Sequence, residues 1–449
     1  MKTLDSCLTK YIKDKSVLIL GFGREGRSTF KKIASLNVAK KVAIADIKEI
    51  GDEETVIADF TSNGGKRENL EFITGERYQD AIDNFDVCFK SPGIVLERDF
   101  SSYRTVIIGE TDVFLEAYGD KTIAVTGTKG KSTTSSLIAH VLKEDDKNVL
   151  FAGNIGLPVF EIADEVKDDT VIVLELSCHQ LEYARFSPHV AVLLNIYEDH
   201  LDHYKTRERY AASKKNIYRH QKEDDYLFTL AETLKECDNV PSKVNIVKTD
   251  DAPFLKLSDT RSKLKGEHNR LNAAFAYEVC RMYNVTREEF LAAFDTFTGL
   301  HHRLEYIGTK DGIDYYDDSI STTVKSAISA IESVENAKII LLGGMERNLN
   351  YDELIEYLVC SKLDNVVFMY DSGKRMYDMY VNAKKGKKDA PNCLLVEDLS
   401  AAVSKVKEIA VKGNAVILSP AAASYDHFKN FEERGRKFKA LAASFKRSF

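Results

Sequence analysis

Ala124-Val-Thr-Gly-Thr-Lys-Gly-Lys-Ser-Thr-Thr134 stands between an apolar run, Thr122–Val125, and a helical stretch, Ser135–Leu142. A glycine-rich turn that leaves a strand and enters a helix aims consecutive backbone N–H groups at one point, where the helix dipole favours negative charge. The G-x-x-G-K-S core over 127–132 adds Lys131, with the reach for terminal phosphate oxygens, and Ser132, a hydroxyl suited to Mg2+. Val125 occupies the place where the usual phosphate-loop pattern has its first glycine. The reading is a nucleoside triphosphate site, ATP or GTP, with Gly127, Thr128, Lys129, Gly130, Lys131, Ser132 and Thr133 as the phosphate cradle.

Working outward, the same strand-then-helix rhythm recurs along the chain. Short apolar runs at Val17–Leu20, Val42–Ala45, Val106–Ile108, Val171–Leu174, Val190–Leu194, Ile339–Leu342, Val366–Phe368 and Ala415–Leu418 alternate with longer amphipathic stretches. Runs apolar at every position, rather than at alternate ones, belong to strands buried on both faces, so the fold class is α/β with parallel sheets. Soft boundaries at Tyr118–Asp120 and Thr298–Leu300 divide the chain into 1–118, 119–298 and 299–449. The basic run Lys384–Lys388 lies between a helix and a strand and reads as a solvated loop.

A length of 449 residues, 44% hydrophobic and 30% charged, is that of a folded multidomain chain. The net charge of −7 gives no basic field, which excludes nucleic acid and anionic lipid surfaces as general partners. The seven cysteines are scattered without C-x-x-C pairs, as expected of free thiols. No signal-like segment and no run of 18 apolar residues is seen, so a cytoplasmic protein without membrane insertion is expected.

Three further patterns carry chemistry. Gly21-Phe-Gly-Arg-Glu-Gly26 follows the first strand and Asp46 ends the second, the context of a dinucleotide site; alone it would suggest NAD. Glu175, in Glu175-Leu-Ser-Cys-His-Gln180, and His200, in Asn195-Ile-Tyr-Glu-Asp-His-Leu-Asp202, stand at the ends of two successive strands, as Mg2+ or phosphate ligands would. Lys214 and Lys215, on a helix over Arg209–Arg219, read from spacing alone as exposed lysines.

Taken in order, T-G-T-K-G-K-S-T-T (126–134), G-N-I-G (153–156), E-L-S-C-H-Q-L (175–181), N-I-Y-E-D-H-L-D (195–202), G-E-H-N-R-L-N-A-A (266–274), G-L-H-H-R-L-E (299–305) and L-S-P-A-A-A-S-Y-D-H-F-K-N-F-E-E-R-G (418–435), with S-P-G-I (91–94), resemble the Mur ligase family. The resemblance covers nearly the whole chain. It implies a Rossmann-like N-terminal domain for a UDP-sugar, a central phosphate-loop domain for ATP and a Rossmann-like C-terminal domain for an amino acid. The implied reaction is ATP-dependent addition of D-glutamate to UDP-N-acetylmuramoyl-L-alanine through an acyl phosphate, a step in peptidoglycan precursor synthesis, by a monomer acting on small molecules. L-glutamate or another amino acid remains the alternative.

By motif the resemblance assigns catalysis to Lys131, Glu175, His200 and Lys214. It assigns two Mg2+ ions to Ser132, Glu175, His200 and a carbamylated Lys214, which reverses the reading from spacing. Asn269, Asn272, Arg303 and Asp318 would contact ATP; Gly21, Gly23, Arg24, Asp46, Ser91, Gly93, Asn154 and Ser177 the UDP substrate; Thr322, Arg347, Ser424 and Phe431 the amino acid. The first glycine turn then holds a UDP group and not NAD. Two departures fall at the amino-acid pocket: Asp317-Asp-Ser-Ile-Ser-Thr-Thr323 replaces N-D-S-K-x-T-N, putting Ile320 in place of a lysine, and Gly343-Gly-Met-Glu-Arg347 replaces G-G-x-x-K. Folate-type ligases, a phosphate-loop binding protein without catalysis and a dehydrogenase are the other classes weighed. Retention of Lys131, Ser132, Glu175, His200 and Lys214 together argues for the ligase.

Overall fold

Each of these apolar runs is a strand in the computed structural model of the chain, which describes residues 2–249, 267–297, 299, 302–346 and 349–444. Three sheets result. The first comprises β1 (Ser16–Leu20), β2 (Lys41–Asp46), β3 (Leu70–Thr74), β4 (Val87–Lys90) and β5 (Val106–Ile108), in the order β3-β2-β1-β4-β5. The second comprises β6 (Thr122–Thr126), β7 (Val149–Gly153), β8 (Val171–Glu175), β9 (Val190–Leu193), β10 (Tyr226–Thr229) and β11 (Lys243–Ile246), in the order β11-β10-β9-β6-β8-β7. Both are parallel throughout, and Val17–Leu20 and Val190–Leu193 are buried on both faces, as their unbroken apolar character requires.

The third sheet comprises β12 (Glu305–Lys310), β13 (Ile313–Asp317), β14 (Ala337–Leu342), β15 (Asn365–Met369), β16 (Asn392–Val396) and β17 (Ala415–Leu418), in the order β12-β13-β17-β14-β15-β16. It departs from the all-parallel expectation at one edge, where β12 and β13 form an antiparallel hairpin. The cause is local: Asp311 and Gly312 both take positive φ (53° and 76°), the geometry of a two-residue hairpin turn whose twist matches that of the strands.

The chain forms two compact units, Met1–Phe297 and Thr298–Phe449. In the first, helix Glu110–Tyr118 is buried along almost its whole length, and Val113, Phe114 and Leu115 join one apolar cluster with Ile19 of β1 and Leu174 of β8. Shared packing of this kind welds the first two sheets together. All seven cysteines are free thiols, as expected.

Candidate active site at the phosphate-binding loop

Strand order explains the site in the first unit. β9, β6 and β8 are neighbours, so the segments after them share one carboxyl edge of the sheet, where ligands gather in open α/β sheets. These segments are Asn195–His200, the loop Gly127–Gly130, and Leu176–Ser177 following Glu175.

The loop enters helix Lys131–Glu144, which begins four residues earlier than the sequence suggested, so Lys131 and Ser132 lie in its first turn. Gly130 takes φ +88°, and a Cβ there would overlap the side-chain oxygen of Asn272, so only glycine fits. Asn195 fastens the loop from the neighbouring strand: its side chain accepts from Lys129 N (2.9 Å) and donates to Lys129 O (3.1 Å), and its own carbonyl accepts from Thr128 N (3.0 Å). Thr128 also bonds Tyr210 Oη (3.0 Å) and accepts from Tyr197 N (2.9 Å).

Two ammonium groups converge inside this loop. Lys131 Nζ donates to the carbonyls of Gly127 (2.8 Å) and Thr128 (3.1 Å), and Lys214 Nζ donates to the same Gly127 oxygen at 2.9 Å. Lys214 is 1% exposed, on helix Arg207–Arg219, and lies 4.8 Å from the centre of the Tyr210 ring. Burial, helped by the charge of Lys131, lowers its pKa from the usual lysine range to about 7. The exposed lysines expected from spacing are corrected at both positions: Lys214 is buried, and Lys215 is half-buried and paired with Asp238 at 2.9 Å.

Glu175 is also 1% exposed. Its Oε1 accepts from Asn154 Nδ2 (2.6 Å), whereas its Oε2 is buried with no hydrogen-bond partner among the described residues. A buried, unsatisfied carboxylate oxygen is costly unless a cation or donor meets it. That oxygen, with the buried Ser132 on the adjacent strand-to-helix turn, fits a hard divalent cation such as Mg2+. His200 is exposed, with positive φ (53°), and its ring meets those of His179 (centroids 5.0 Å) and Tyr210 (6.1 Å). His179 is itself driven down to about 4, by burial first and then by His203 and His200. The side chain of Asp202 lies outside the described residues.

The expected UDP-substrate residues line the junction of the first two sheets. Arg24 Nη2 reaches Asn154 O (3.4 Å), and Gln180, which closes a capping box with Ser177, donates to Glu25 Oε1 (2.8 Å). Ser91 Oγ donates to Gly21 O (2.7 Å), tying the two ligand loops of the first sheet together. Asp46 is committed locally: its oxygens accept from Phe22 N (2.8 Å) and Lys48 N (3.0 Å), so it shapes the glycine turn. Gly23 and Gly93 are exposed on those turns.

Asn272 is buried against the phosphate-loop helix and its Nδ2 donates to Asn269 Oδ1 at 3.2 Å. Sequence reasoning singles out none of Asn195, Glu25 and Tyr210, although the first two lie inside motifs quoted above and Tyr210 lies on the helix that carries Lys214. The signal available was a polar residue immediately after a strand, or one helical turn before Lys214.

In the second unit, Asp318 is buried, accepting from Leu304 N (2.9 Å), Ser419 Oγ (2.6 Å) and Ser321 Oγ, and burial raises its pKa to about 6. Arg303, exposed, precedes Leu304 on the same turn. Its neighbour His302 bonds Asp317 through Nδ1 at 2.6 Å. Arg434, fully buried, donates to Ser319 O (2.7 Å), Ser319 Oγ (3.0 Å) and Ala422 O (3.0 Å), fixing the segment that carries Ser424. Ser319 Oγ donates to Phe431 O (2.8 Å), and Thr322 is half-buried on the loop after Asp318. Arg347 lies outside the described residues.

The Mur ligase middle domain matches residues 125–249, and the Mur ligase glutamate ligase domain matches residues 302–422. UDP-N-acetylmuramoylalanine–D-glutamate ligase of Clostridium acetobutylicum is 32% identical over 97% of this chain and 98% of its own length. The enzyme of the same name from Staphylococcus epidermidis is 32% identical over 95% of this chain and 96% of its own. Among solved structures, UDP-N-acetylmuramate-alanine ligase MurC of Thermotoga maritima shares the fold, with a TM-score of 0.52 at 22% identity, covering 96% of this chain and all of that one. MurF of Thermotoga maritima, solved with ADP, has a TM-score of 0.51 at 17% identity, covering 99% of both chains. With a relative this similar from end to end, and family domains over both the phosphate-loop sheet and the third sheet, the chain belongs to the Mur ligase family.

Proposed function

We propose that the protein is an ATP-dependent amide ligase that joins D-glutamate to UDP-N-acetylmuramoyl-L-alanine in peptidoglycan precursor synthesis. The observation that carries the reading is the convergence of the half-buried Lys131 and the buried Lys214 on the Gly127 carbonyl, beside a buried Glu175 oxygen with no hydrogen-bond partner among the described residues, an arrangement suited to polyphosphate and a cation. The names of the relatives supply the substrate class.

Segment 1–118 holds the UDP group through Gly21, Gly23, Arg24, Asp46, Ser91 and Gly93, with Asn154 and Ser177 on the muramoyl-alanyl end. Segment 119–298 holds the ATP phosphates through Gly127–Thr133, with Asn269 and Asn272, and Arg303 and Asp318 complete the nucleotide contacts. Segment 299–449 takes the amino acid through Thr322, Arg347, Ser424 and Phe431.

Two Mg2+ ions, one held by Ser132 and Glu175 and one by His200 and a carbamylated Lys214, would supply charge neutralisation at the phosphates. Lys131 steadies the charge that develops on the transferring phosphoryl group as the alanyl carboxylate attacks the γ-phosphorus and the bond to ADP breaks, with ADP leaving. The acyl phosphate that forms is then attacked by the amine of glutamate, and phosphate leaves. The loop bonds from Asn195 and Tyr210 hold Lys131 and Lys214 in register before substrate arrives, which is preorganisation of the kind that lowers the barrier.

The setting is cytoplasmic and the protein acts as a monomer on small molecules, with no nucleic-acid partner. No helix among the described residues is long and apolar enough to cross a membrane. Phosphate release from ATP in the presence of Mg2+ and UDP-N-acetylmuramoyl-L-alanine tests the function. Release that depends on D-glutamate supports it; release that depends only on L-glutamate moves the protein to the alternative substrate.

A further inference from the structure

None of the roles assigned above uses Lys90, Glu182 or His203, and the three meet where the first two sheets adjoin. Lys90 is the last residue of β4, immediately before the Ser91-Pro92-Gly93 turn, and its side chain is 4% exposed. A buried ammonium needs acceptors around it. Its Nζ stands 3.4 Å from Ser91 O, from Pro92 O and from Glu182 Oε2 alike, so the group is centred among the three and no single bond dominates. Burial pulls its pKa below the usual lysine range, and the charge of Glu182 is the first influence opposing that pull.

Glu182 belongs to the second sheet's side, one residue after the short helix Cys178–Leu181 that follows β8, and its side chain is 15% exposed. Both its oxygens lie 3.3 Å from Nε2 of the buried His203 side chain, on the helical turn Leu201–Tyr204 that starts directly after His200. An ionised carboxylate only accepts, so that nitrogen carries the proton. The main-chain carbonyl of Glu182 accepts from Asn216 Nδ2 at 3.1 Å, on the helix that carries Lys214. The carboxylate also faces Tyr183, whose pKa is raised by burial first and by Glu182 second. One residue therefore gathers the turn of Ser91 and Gly93, the segment of His200 and the helix of Lys214.

We propose that Glu182 is a positioning residue: through Lys90 and His203 it holds the Ser91–Gly93 turn in register with the phosphate-loop side of the site, so that the substrate carboxylate meets the γ-phosphate at reacting distance. This rests on the assignment of Ser91 and Gly93 to the UDP substrate. The effect passes through the main-chain carbonyls of Ser91 and Pro92, which Lys90 holds, and not through any contact of Glu182 with a substrate. The ion pair is nearly dry, so solvent and salt screen its attraction little. A misplacement of about 1 Å between reacting groups costs about a hundredfold in rate.

The test uses the full-length enzyme with Lys90→Met, Glu182→Gln and the double variant. It reads kcat by phosphate release, and by titration calorimetry the dissociation constants of UDP-N-acetylmuramoyl-L-alanine alone and of ATP with Mg2+ alone. Each single variant is expected to lower kcat about tenfold or more, while both dissociation constants stay within about threefold of wild type. The two substitutions cut the same link, so the double variant should be at most about twofold slower than the slower single variant. Glu182→Gln keeps the volume of the side chain and carries the test if Lys90→Met melts too low to assay. Wild-type kcat in a folded single variant, losses that multiply in the double variant, or a loss of affinity as large as the loss of kcat would overturn the proposal. A wild type that releases no phosphate with either enantiomer of glutamate overturns the functional reading and this inference together, whereas an active wild type whose variants show no kcat-specific loss overturns this inference alone.

Discussion

Replacing Lys214 by methionine keeps an unbranched side chain one atom shorter and removes its charge. In the native chain the amine is 1% exposed, shares the Gly127 carbonyl with Lys131, and has its pKa brought to about 7 by burial first and Lys131 second. At about pH 7.5, roughly three quarters of such amines are neutral, against about one in a thousand for an ordinary lysine. The neutral amine is the species that captures CO2, so this one lysine presents roughly 700 times more nucleophile than a surface lysine. A carbamate formed there would put an anion where a second cation would repel a metal.

The same shift fixes the sign of a stability effect. The folded pKa lies below the unfolded one, so the native state binds fewer protons between about pH 7 and 10.5, and the contribution of Lys214 is worst below about pH 7 and improves through that window. In CO2-free buffer near pH 6.5, Lys214→Met should therefore be the more stable protein. Burying the ammonium costs about 4 to 5 kcal/mol, offset by about 1 kcal/mol for the lost hydrogen bond to Gly127. Its advantage should shrink as the pH rises, and its ligase activity should be lost. Carbon NMR after labelled bicarbonate should show one carbamate signal that is absent in the variant, and wild-type activity should fall in CO2-free buffer and return with bicarbonate. A variant no more stable than wild type at pH 6.5, together with activity indifferent to CO2, would refute this reasoning.

Other expectations follow from the same geometry. Glu175→Gln keeps the bond to Asn154 but removes the charge of the unpartnered oxygen, so activity should fall by about a hundredfold or more with the melting temperature unchanged or raised, read by coupled phosphate assay and calorimetry; near-normal Mg2+-dependent turnover would contradict the role. Gly130→Ala forces a Cβ onto Asn272 at φ +88° and should cost about 1 to 3 kcal/mol and weaken ATP binding by titration calorimetry; unaltered affinity would show that the loop can adjust. Glu110, buried and held well above the usual carboxylate range by burial and by Glu25, binds more protons folded than unfolded, so its contribution is lost as pH rises. Glu110→Gln should accordingly stabilise the protein more at pH 8 than at pH 5 in melting experiments, and a gain confined to low pH would reverse that assignment.

The phosphate loop was legible because its chemistry is local: glycines, a lysine and a hydroxyl in fixed spacing between a strand and a helix. The central strands were legible for the same reason, each being apolar at every position. Edge strands such as β3 (L-E-F-I-T) and β16 (N-C-L-L-V) mix polar and apolar residues because one side meets solvent, and they escaped notice. The β12–β13 hairpin carried a readable Asp311-Gly312 signal that the dominant parallel pattern obscured. Lys214 could not be read from spacing, since its burial depends on Gly127 and Tyr210, which only the folded sheet brings beside it. The link between Lys90 and Glu182 is also invisible in sequence, as its partners lie 92 positions apart and follow strands of different sheets.

The most direct test follows oxygen. UDP-N-acetylmuramoyl-L-alanine labelled with heavy oxygen in its alanyl carboxylate is incubated with the enzyme, ATP, Mg2+ and D-glutamate, and the released phosphate and the UDP product are weighed by mass spectrometry. Transfer of one labelled oxygen to phosphate, in step with a product heavier by one glutamyl residue, is the predicted result; unlabelled phosphate, or a product formed only with L-glutamate, would contradict it.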